Sequence, residues 1–377
     1  MCGIDMKKIL DIRIQNVREK IATDDIDTFM VSTQENRRYL SGFTGEDGQY
    51  DETAGVLFIT ADDLKLATDG RYTHQATEES PNYDVITYDK GLTHALSEIL
   101  KDLKTRRLGF EAERLSFSQY EKIRDLFQTT ELKIELVPTT DLVESFRIVK
   151  DKEEIDRTRQ ALMMAEAVFS EVVQTLQPGM TEQAIAWEME KRLRETDADG
   201  LAFPVIVASG PNSARPHAIP GNRQINLSEP ILFDWGARWK GYCSDTSRTV
   251  ILGKPDDTFL SVYRSVREAQ EMAIAAIKPE MNGQAVDAIA RRHIEAAGFT
   301  GKFNHGLGHG TGLAIHEKPR LSPTSDTVLT AGMLCTVEPG IYLPGWGGVR
   351  LENQVVVTDN GAEVLNRLGL DDYIIRL

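Results

Sequence analysis

The chain has 377 residues, of which 41% are hydrophobic, and a formal net charge of -15 at pH 7. This length suits two domains, each large enough to bury a core. The negative charge, together with the lack of a long lysine and arginine run, argues against a nucleic-acid or anionic-membrane surface, so a small molecule or a peptide is the expected ligand.

The cysteines and the N-terminus indicate a reducing, intracellular environment. Cys2, Cys243 and Cys335 are scattered and lack CxxC spacing, so neither a disulfide framework nor a thiolate zinc site is expected. The first residues alternate charged and apolar side chains without the apolar core of a signal peptide, and no apolar run approaches membrane-spanning length. We therefore expect a soluble, cytoplasmic protein.

The first half of the chain alternates helix and strand patterns. Helical apolar spacing covers residues 8–22, and short apolar runs at Thr28–Val31, Gly55–Thr60 and Leu64–Thr68 predict strands. Further helices are expected at 70–79, 92–104 and 116–128. This alternation predicts an α/β domain over residues 1–147, in which no catalytic cluster is evident.

The second half, residues 148–377, begins with two predicted helices. The first opens at Lys150 and meets no glycine or proline before Pro178. The second runs from Thr181, which suits a helix N-cap, to about Glu195. No low-complexity linker marks the boundary between the two predicted domains, so we expect the halves to pack firmly.

Residues 231–250 predict a β-hairpin that carries two aspartates. Apolar and aromatic residues flank a polar centre, which places a tight turn between Trp239 and Lys240. In that antiparallel register Asp234 lies directly opposite Asp245, with Cβ atoms about 5 Å apart. Like charges at this spacing are destabilising unless a cation neutralises them, although two solvated aspartates on an exposed hairpin would produce the same pattern.

Four histidines lie in this half at positions that suggest function. His217 is in a loop-rich segment just before the aspartate hairpin, and His305, His309 and His316 lie within twelve residues. The spacing of His305 and His309 would suit a helical metal site, but each of the interspersed glycines costs a helix about 1 kcal/mol. We expect a loop or strand whose backbone is closely approached by another group, with a functional role for the imidazoles.

A second hairpin carries two glutamates. Two apolar runs flank the segment Pro344–Gly348, and a turn centred on Gly345 pairs Glu338 with Glu352. The two-residue period of a strand also places Arg350 on the face of Glu352. Two hairpins that each oppose a pair of carboxylates are hard to explain by chance.

Four carboxylates with one or more imidazoles predict a metal site. So much negative charge on oxygen ligands suits two divalent cations better than one, and an available histidine favours Mn, Fe, Co or Zn over Mg. Two adjacent metals hold a water between them, lower its pKa and polarise the bond that it attacks. Hydrolysis is therefore the expected class of reaction.

Motifs at these positions resemble those of one enzyme family. They are Asp-Trp-Gly-Ala from 234, Ser-Asp-Thr-Ser-Arg-Thr from 244, Gly-His-Gly-Thr-Gly-Leu-Ala-Ile-His-Glu from 308, Glu-Pro-Gly-Ile-Tyr from 338 and Val-Arg-Leu-Glu from 349. Together they are similar to the motifs of the prolidase and aminopeptidase P metallopeptidases, which Arg38–Gly45 and Asp69–Tyr72 resemble more loosely. The resemblance implies an α/β creatinase-like N-terminal domain followed by an α+β "pita-bread" metallopeptidase domain.

The resemblance also implies a role for each candidate residue. The implied metal ligands are Asp234, Asp245, His309, Glu338 and Glu352, with Asp245 and Glu352 bridging two ions. The implied catalytic and substrate-binding side chains are Glu338, His217, His305 and His316. Arg350 matches an arginine beside the ligands, and Arg320 matches an arginine near the carboxylate of a dipeptide substrate.

The implied activity is that of a homodimeric exopeptidase acting on the Xaa-Pro bond at the N-terminus of a peptide or dipeptide. Its cofactors would be two divalent metals, with Mn(II) first and Co(II), Zn(II) or Fe(II) as alternatives. A hydroxide bridging the metals would attack the carbonyl carbon, Glu338 would relay a proton to the proline nitrogen, and His316 and His217 would stabilise the oxyanion. The alternatives are a creatinase-like hydrolase or a silent peptide-binding module, and the complete set of ligand types argues against both.

Overall fold

The structure is a computed structural model that describes residues 6–48, 52–130, 132–371 and 373–375. The chain forms two compact units, Met1–Arg147 and Ile148–Leu377. Among the described residues, no helix has the length and the apolar content needed to cross a membrane.

The N-terminal unit alternates helices with the strands of one sheet. In chain order its elements are α1 (Met6–Thr23), β1 (Thr28–Val31), α2 (Gln34–Ser41), β2 (Val56–Ile59), β3 (Leu64–Asp69), α3 (Thr73–Glu79), β4 (Asp84–Tyr88), α4 (Leu92–Asp102), β5 (Arg107–Glu111), α5 (Phe117–Thr129), β6 (Glu135–Thr139) and α6 (Glu144–Arg147). The sheet order is β4-β3-β2-β1-β5-β6. Strand β2 is antiparallel to both neighbours, and the other pairs are parallel.

The predicted elements of this unit are confirmed where the apolar pattern is strong. Strand β1 has the predicted bounds, and α1, β2, β3, α3, α4 and α5 lie within a few residues of theirs. Helix α2 was not predicted, because it is mostly polar and buries Arg37 completely. The Arg37 guanidinium donates to the carbonyl oxygens of Gly45 and Gly55, a stabilisation that apolar periodicity does not reveal.

The C-terminal unit combines four long helices with several small sheets. Its elements are α7 (Lys152–Val173), α8 (Glu182–Arg194), β7 (Gly200–Leu201), β8 (Ile206–Ser209), a 3-10 helix (Gly210–Ala214), β9 (Pro230–Trp235), β10 (Ala237–Trp239), β11 (Tyr242–Cys243), β12 (Thr246–Leu252), α9 (Asp257–Ala276), α10 (Gly283–Ala296), β13 (Gly308–Gly310), β14 (Glu317–Leu321), β15 (Leu334–Val337), β16 (Gly340–Leu343), β17 (Gly347–Arg350), β18 (Asn353–Thr358), β19 (Gly361–Val364) and β20 (Ile374–Ile375). The sheets have the orders β11-β10-β7, β20-β12-β9-β8, β14-β13-β15-β18-β19 and β16-β17.

Each helix pair of this unit contributes to its own apolar core. Helices α7 and α8 share one core with β9, in which Trp235 stacks on Phe169 with ring centroids 4.4 Å apart and donates its indole N–H to the carbonyl of Ala165. Helices α9 and α10 share the other core with strands β15 and β18. The two predicted helices after Lys150 are confirmed as α7 and α8, and Thr181 caps α8 as expected.

The aspartate hairpin forms in a register different from the predicted one. Strand β9 pairs with β12 so that Asp234 lies opposite Ser247, and Asp245 falls in the break between β11 and β12. The turn is at Lys240–Gly241, one residue further along the chain than predicted. Because moving a turn by one residue moves every cross-strand partner by two, the direct pairing of Asp234 with Asp245 was wrong, while both aspartates remain on one side of the hairpin.

The glutamate hairpin has the predicted register. Strands β16 and β17 pair Gly340 with Arg350, and strands β15 and β18 pair Val337 with Asn353. These two ladders share one register, so Glu338 and Glu352 lie opposite each other in the breaks between them.

The glycines around the histidines form a strand, as expected, rather than a helix. Gly308 lies in β13, where an added Cβ would come within 2.0 Å of the Thr336 carbonyl oxygen. A Cβ on Gly310 would come within 2.2 Å of the carbonyl oxygen of Lys318. The close approach predicted from these glycines is therefore that of the neighbouring strands β15 and β14.

The Lys240–Gly241 turn should be sensitive to the conformation of its second residue. Both residues have positive φ, 48° and 88°, as a two-residue type I′ turn requires. We expect Gly241→Ala to lower the free energy of unfolding by about 1 kcal/mol, and Gly241→Asn to lower it less, because asparagine tolerates positive φ better than alanine does. Thermal unfolding of both variants checks this, and equal losses would contradict the conformational explanation.

Candidate metal centre

All of the predicted site residues line one cavity of about 570 Å³ in the C-terminal unit. They are His217, Asp234, Asp245, His305, His309, His316, Arg320, Glu338, Arg350 and Glu352. Apolar side chains, among them Phe203, Pro216 and Ile315, form much of the remaining wall. A largely apolar pocket with a few convergent polar groups is the usual form of a small-ligand site.

Three of the predicted ligands come together most closely. Asp245, His309 and Glu352 are buried, and one candidate ligand atom from each lies within 4.8 Å of those from the other two. Glu338 is next to them, with its Oε1 atom 3.4 Å from Nε2 of His309. Asp234 lies opposite Ser247, whose hydroxyl donates to Glu352 at 2.7 Å. The fold thus brings candidate ligands that are far apart in the sequence to one cavity.

The His309 ring presents an unprotonated nitrogen to this group. Its Nδ1 donates to the Gly310 carbonyl at 3.1 Å, and burial lowers its pKa to about 3, so the ring is neutral and Nε2 carries a lone pair. That nitrogen lies 3.5 Å from Asp245 Oδ2 and 3.4 Å from Glu338 Oε1. The lone pair of His309 Nε2 thus lies close to two carboxylate oxygens, an arrangement that a cation or a proton between these atoms would stabilise.

Two carboxylates of the group each have one oxygen that accepts a hydrogen bond and one that does not. Asp234 accepts from Arg350 Nη2 through Oδ2 at 2.6 Å, and Glu352 accepts from Ser247 through Oε2. Asp234 Oδ1 and Glu352 Oε1 are buried and have no hydrogen-bond partner among the described residues. Buried carboxylate oxygens without donors are costly unless they bind a metal, so the residues present fit divalent cations.

Burial disfavours the ionised forms of these carboxylates when no cation is bound. It raises the pKa of Glu338 to about 7 and the pKa values of Asp245 and Glu352 well above their ordinary range, and neighbouring carboxylates add to the rise. Burial also raises the pKa of Asp234, although Arg350 opposes that rise. A divalent cation would reverse these shifts because it favours the ionised form.

Arg350 connects several of the candidate residues. Besides its ion pair with Asp234, it donates through Nε to the Ser247 hydroxyl at 2.9 Å and through Nη1 to the Tyr342 hydroxyl at 2.9 Å. The Tyr342 hydroxyl is also 2.9 Å from Nε2 of His305. Both ring nitrogens of His305 are therefore bonded within the protein, since Nδ1 is 2.8 Å from the Gly306 carbonyl.

The remaining predicted residues are exposed where they line the cavity. These residues are His217, His316 and Arg320. They differ in this respect from the three clustered ligands described above, which are buried. The His316 ring meets the His309 ring edge to face, with centroids 4.3 Å apart. This arrangement leaves the exposed side chains free to contact a molecule that enters the cavity.

Sequence reasoning missed several residues that hold the candidate site residues in place. The Ser247 hydroxyl bonds to Glu352, and the Tyr342 hydroxyl bonds to His305. The Thr336 hydroxyl accepts from the backbone N–H of His309 and donates to Glu338 at 3.1 Å. A signal was available in the two-residue period of a strand, because Thr336 precedes Glu338 by two positions.

Comparison with known proteins identifies the family. Residues 156–359 match metallopeptidase family M24, and residues 13–149 match the creatinase/prolidase N-terminal domain. The chain belongs to metallopeptidase family M24, in its prolidase and aminopeptidase P group. The predicted family, its pita-bread catalytic domain and its α/β creatinase-like N-terminal domain are confirmed.

The chain is similar to relatives of two kinds over almost its whole length. The Xaa-Pro dipeptidase of Pyrococcus furiosus is 34% identical, over 94% of this chain and 97% of that protein. The solved Xaa-Pro dipeptidase from Bacillus anthracis is 36% identical with a TM-score of 0.90, over 98% and 100% of the two chains. The X-Pro aminopeptidase from Thermotoga maritima MSB8 is 35% identical with a TM-score of 0.88, over 96% and 99%.

Metal-free protein should lose a stabilising contribution at Glu338 as the pH rises. The folded protein retains the Glu338 proton to about pH 7, whereas the unfolded chain releases it near 4.5. The contribution is therefore complete below about pH 4.5 and is lost as the pH rises through about 7. In the presence of a chelator, we compare the free energies of unfolding of the wild-type protein and of Glu338→Gln. The wild-type value minus the variant value should fall by on the order of 1–3 kcal/mol between about pH 4.5 and 8.

Chemical unfolding at several pH values measures this difference. Glu295→Gln removes an exposed glutamate from α10 and provides the control, for which no such fall is expected. A wild-type minus Glu338→Gln difference that stays constant or increases with pH would contradict the prediction.

Proposed function

We propose that this metallopeptidase is an exopeptidase that hydrolyses the bond between an N-terminal residue and proline. The observation that carries the proposal is the buried group of Asp245, His309 and Glu352 in the cavity, whose ligand atoms lie within 4.8 Å of one another. The relatives named as Xaa-Pro dipeptidases and X-Pro aminopeptidase support the choice of bond.

Five side chains would hold two divalent cations, with Mn(II) as the first choice among metals that accept both carboxylate and imidazole ligands. These side chains are Asp234, Asp245, His309, Glu338 and Glu352. The free oxygens of Asp234 and Glu352 and the lone pair of His309 Nε2 support this assignment. When bound, the ions would polarise the scissile carbonyl and lower the pKa of the attacking water.

The residues around the ions would bind the peptide and move protons. Glu338 would take the proton of the attacking water and deliver it to the proline nitrogen, and the Thr336 hydroxyl would hold its Oε1 atom in place. His316 and His217, exposed at the cavity, would donate to the oxyanion that develops on the carbonyl oxygen.

We further propose that Arg320 binds the C-terminal carboxylate of a dipeptide. Arg320 is exposed, lines the cavity and has no ion pair within 4.0 Å among the described residues. The neighbouring Glu317 is paired with the buried Lys150 at 2.5 Å, so it does not neutralise Arg320 instead. A guanidinium in this position suits a carboxylate through two charge-assisted hydrogen bonds.

Release of the N-terminal residue from Xaa-Pro and from Xaa-Pro-Yaa tests the proposed reaction. We expect chelator-treated protein to be inactive and to recover activity with Mn(II) or Co(II), because the ions supply the attacking water. Hydrolysis that is unaffected by the chelator, or no hydrolysis of either peptide by metal-loaded protein, would contradict the proposal.

Asp245→Ala and His316→Ala should separate a metal ligand from a substrate-binding residue. Asp245→Ala is expected to lose bound metal and hydrolysis together, because it would remove one of the five proposed ligands. His316→Ala, like His217→Ala, is expected to keep its metal and lose kcat by roughly two orders of magnitude or more. Metal content and kcat are measured on the same preparations. A folded His316→Ala variant without metal, or an active Asp245→Ala variant with two metals, would reverse the assignment.

Arg320→Ala should weaken dipeptide hydrolysis much more than tripeptide hydrolysis. A dipeptide places its carboxylate just beyond proline, where a longer peptide has an uncharged amide, so the loss in kcat/KM should be about 1–2 kcal/mol larger for Xaa-Pro than for Xaa-Pro-Yaa. Lys318→Ala removes an exposed positive charge from the same strand outside the cavity wall and provides the control. Equal losses on both peptides would favour an aminopeptidase.

A further inference from the structure

The backbone of Asp245 is held by side chains instead of by a strand partner. Strand β11 ends at Cys243 and β12 begins at Thr246, so Asp245 lies outside both. Its N–H donates to Oε1 of Gln354 at 3.1 Å, and its carbonyl accepts from the Thr246 hydroxyl at 2.7 Å. Side chains thus satisfy both polar backbone groups of this candidate ligand.

The same Gln354 amide reaches a second ligand segment. Its Nε2 atom donates to the Thr311 hydroxyl at 2.6 Å, and Thr311 follows His309 by two residues. Gln354 itself follows Glu352 by two residues, and both Gln354 and Thr311 are completely buried. One side chain therefore connects the segments that carry Asp245, His309 and Glu352, the three residues whose ligand atoms lie closest together.

A further set of hydrogen bonds fixes Gln354 in place. Its backbone N–H donates to Oδ1 of Asn366 at 2.7 Å, and Nδ2 of Asn366 donates to the Thr246 hydroxyl at 3.0 Å. Because that hydroxyl donates to Asp245, the hydrogen bonds close a ring around the Asp245 backbone. Closed networks of this kind, when fully satisfied, hold buried groups in one arrangement.

The two bonds of the Gln354 side chain need both ends of an amide. A backbone N–H can only donate, so the oxygen of the amide must face Asp245 and its NH₂ group must face Thr311. A methionine has nearly the same shape and neither function, so it would leave the Asp245 N–H and the Thr311 hydroxyl buried and unpaired.

We propose that Gln354 is a positioning residue that sets the spacing of Asp245, His309 and Glu352 and so the affinity of the site for divalent cations. The inference rests on the proposed function, which supplies the metal site. Gln354 lies outside the cavity wall and acts through the ligand segments that it joins. Hydrogen-bond partners behind metal ligands typically contribute a factor of 10–100 to metal affinity.

Titration of the full-length, chelator-treated protein with Mn²⁺, followed by the electron paramagnetic resonance signal of the free ion, tests this proposal. Gln354→Met should raise the Kd for Mn²⁺ by about 10- to 100-fold. Val355→Ala, at the next and equally buried position, should lower the Tm of the metal-free protein and leave the Kd within about twofold of wild type. A Gln354→Met variant that loses Tm but keeps the wild-type Kd would overturn the proposal.

A pair of variants at Thr311 gives a second test that does not depend on the folding of Gln354→Met. Thr311→Val removes the hydroxyl that accepts from Gln354 and should weaken Mn²⁺ binding, whereas Thr311→Ser keeps the hydroxyl and should restore a Kd close to wild type. Equal effects of the two substitutions would overturn the role of this bond. Wild-type protein that binds no Mn²⁺ would refute the proposed function itself, whereas normal wild-type binding with unaffected variants would refute only the role of Gln354.

Discussion

The catalytic unit is organised around buried carboxylates that share very little positive charge. Burial and mutual repulsion raise the pKa values of Asp245 and Glu352, and the adjacent His309 is neutral. Arg350 supplies one positive charge, through its ion pair with Asp234. Such a group is stable in ionised form only with further cations, so the mutual repulsion that destabilises the metal-free protein would favour the binding of divalent metals.

The fold places three of the four carboxylates where strands stop. Asp245, Glu338 and Glu352 each lie in a break between consecutive strands, so regular ladders do not hold their backbones. Other contacts replace the ladder, since the N–H of Glu338 donates to the carbonyl of Leu307 and the N–H of Glu352 to that of Ser247. These contacts keep the backbone N–H groups of Glu338 and Glu352 paired where the regular strands are interrupted.

The burial of each side chain corresponds to the role proposed for it. The residues proposed as ligands are mostly buried and held by hydrogen bonds, and this suits a coordination geometry that must not change between substrates. His217, His316 and Arg320 are exposed at the cavity, and this suits contacts that form only when a peptide enters. The membership in metallopeptidase family M24 and the chemistry of the donor set therefore agree with each other.

The sequence by itself determined the family, the α/β and pita-bread domains, and ten of the residues that line the cavity, because these follow from residue types, periodic patterns and the motifs that resemble those of one family. It also determined the register of Glu338 with Glu352, since glycines mark the centre of that turn. Only the tertiary structure decided the register of Asp234, because Lys240 adopts a positive φ that its residue type does not predict. The partners of the ligands, such as Gln354 for Asp245, also came only from the structure, because hydrogen bonds between residues 109 positions apart leave no periodic pattern in a sequence.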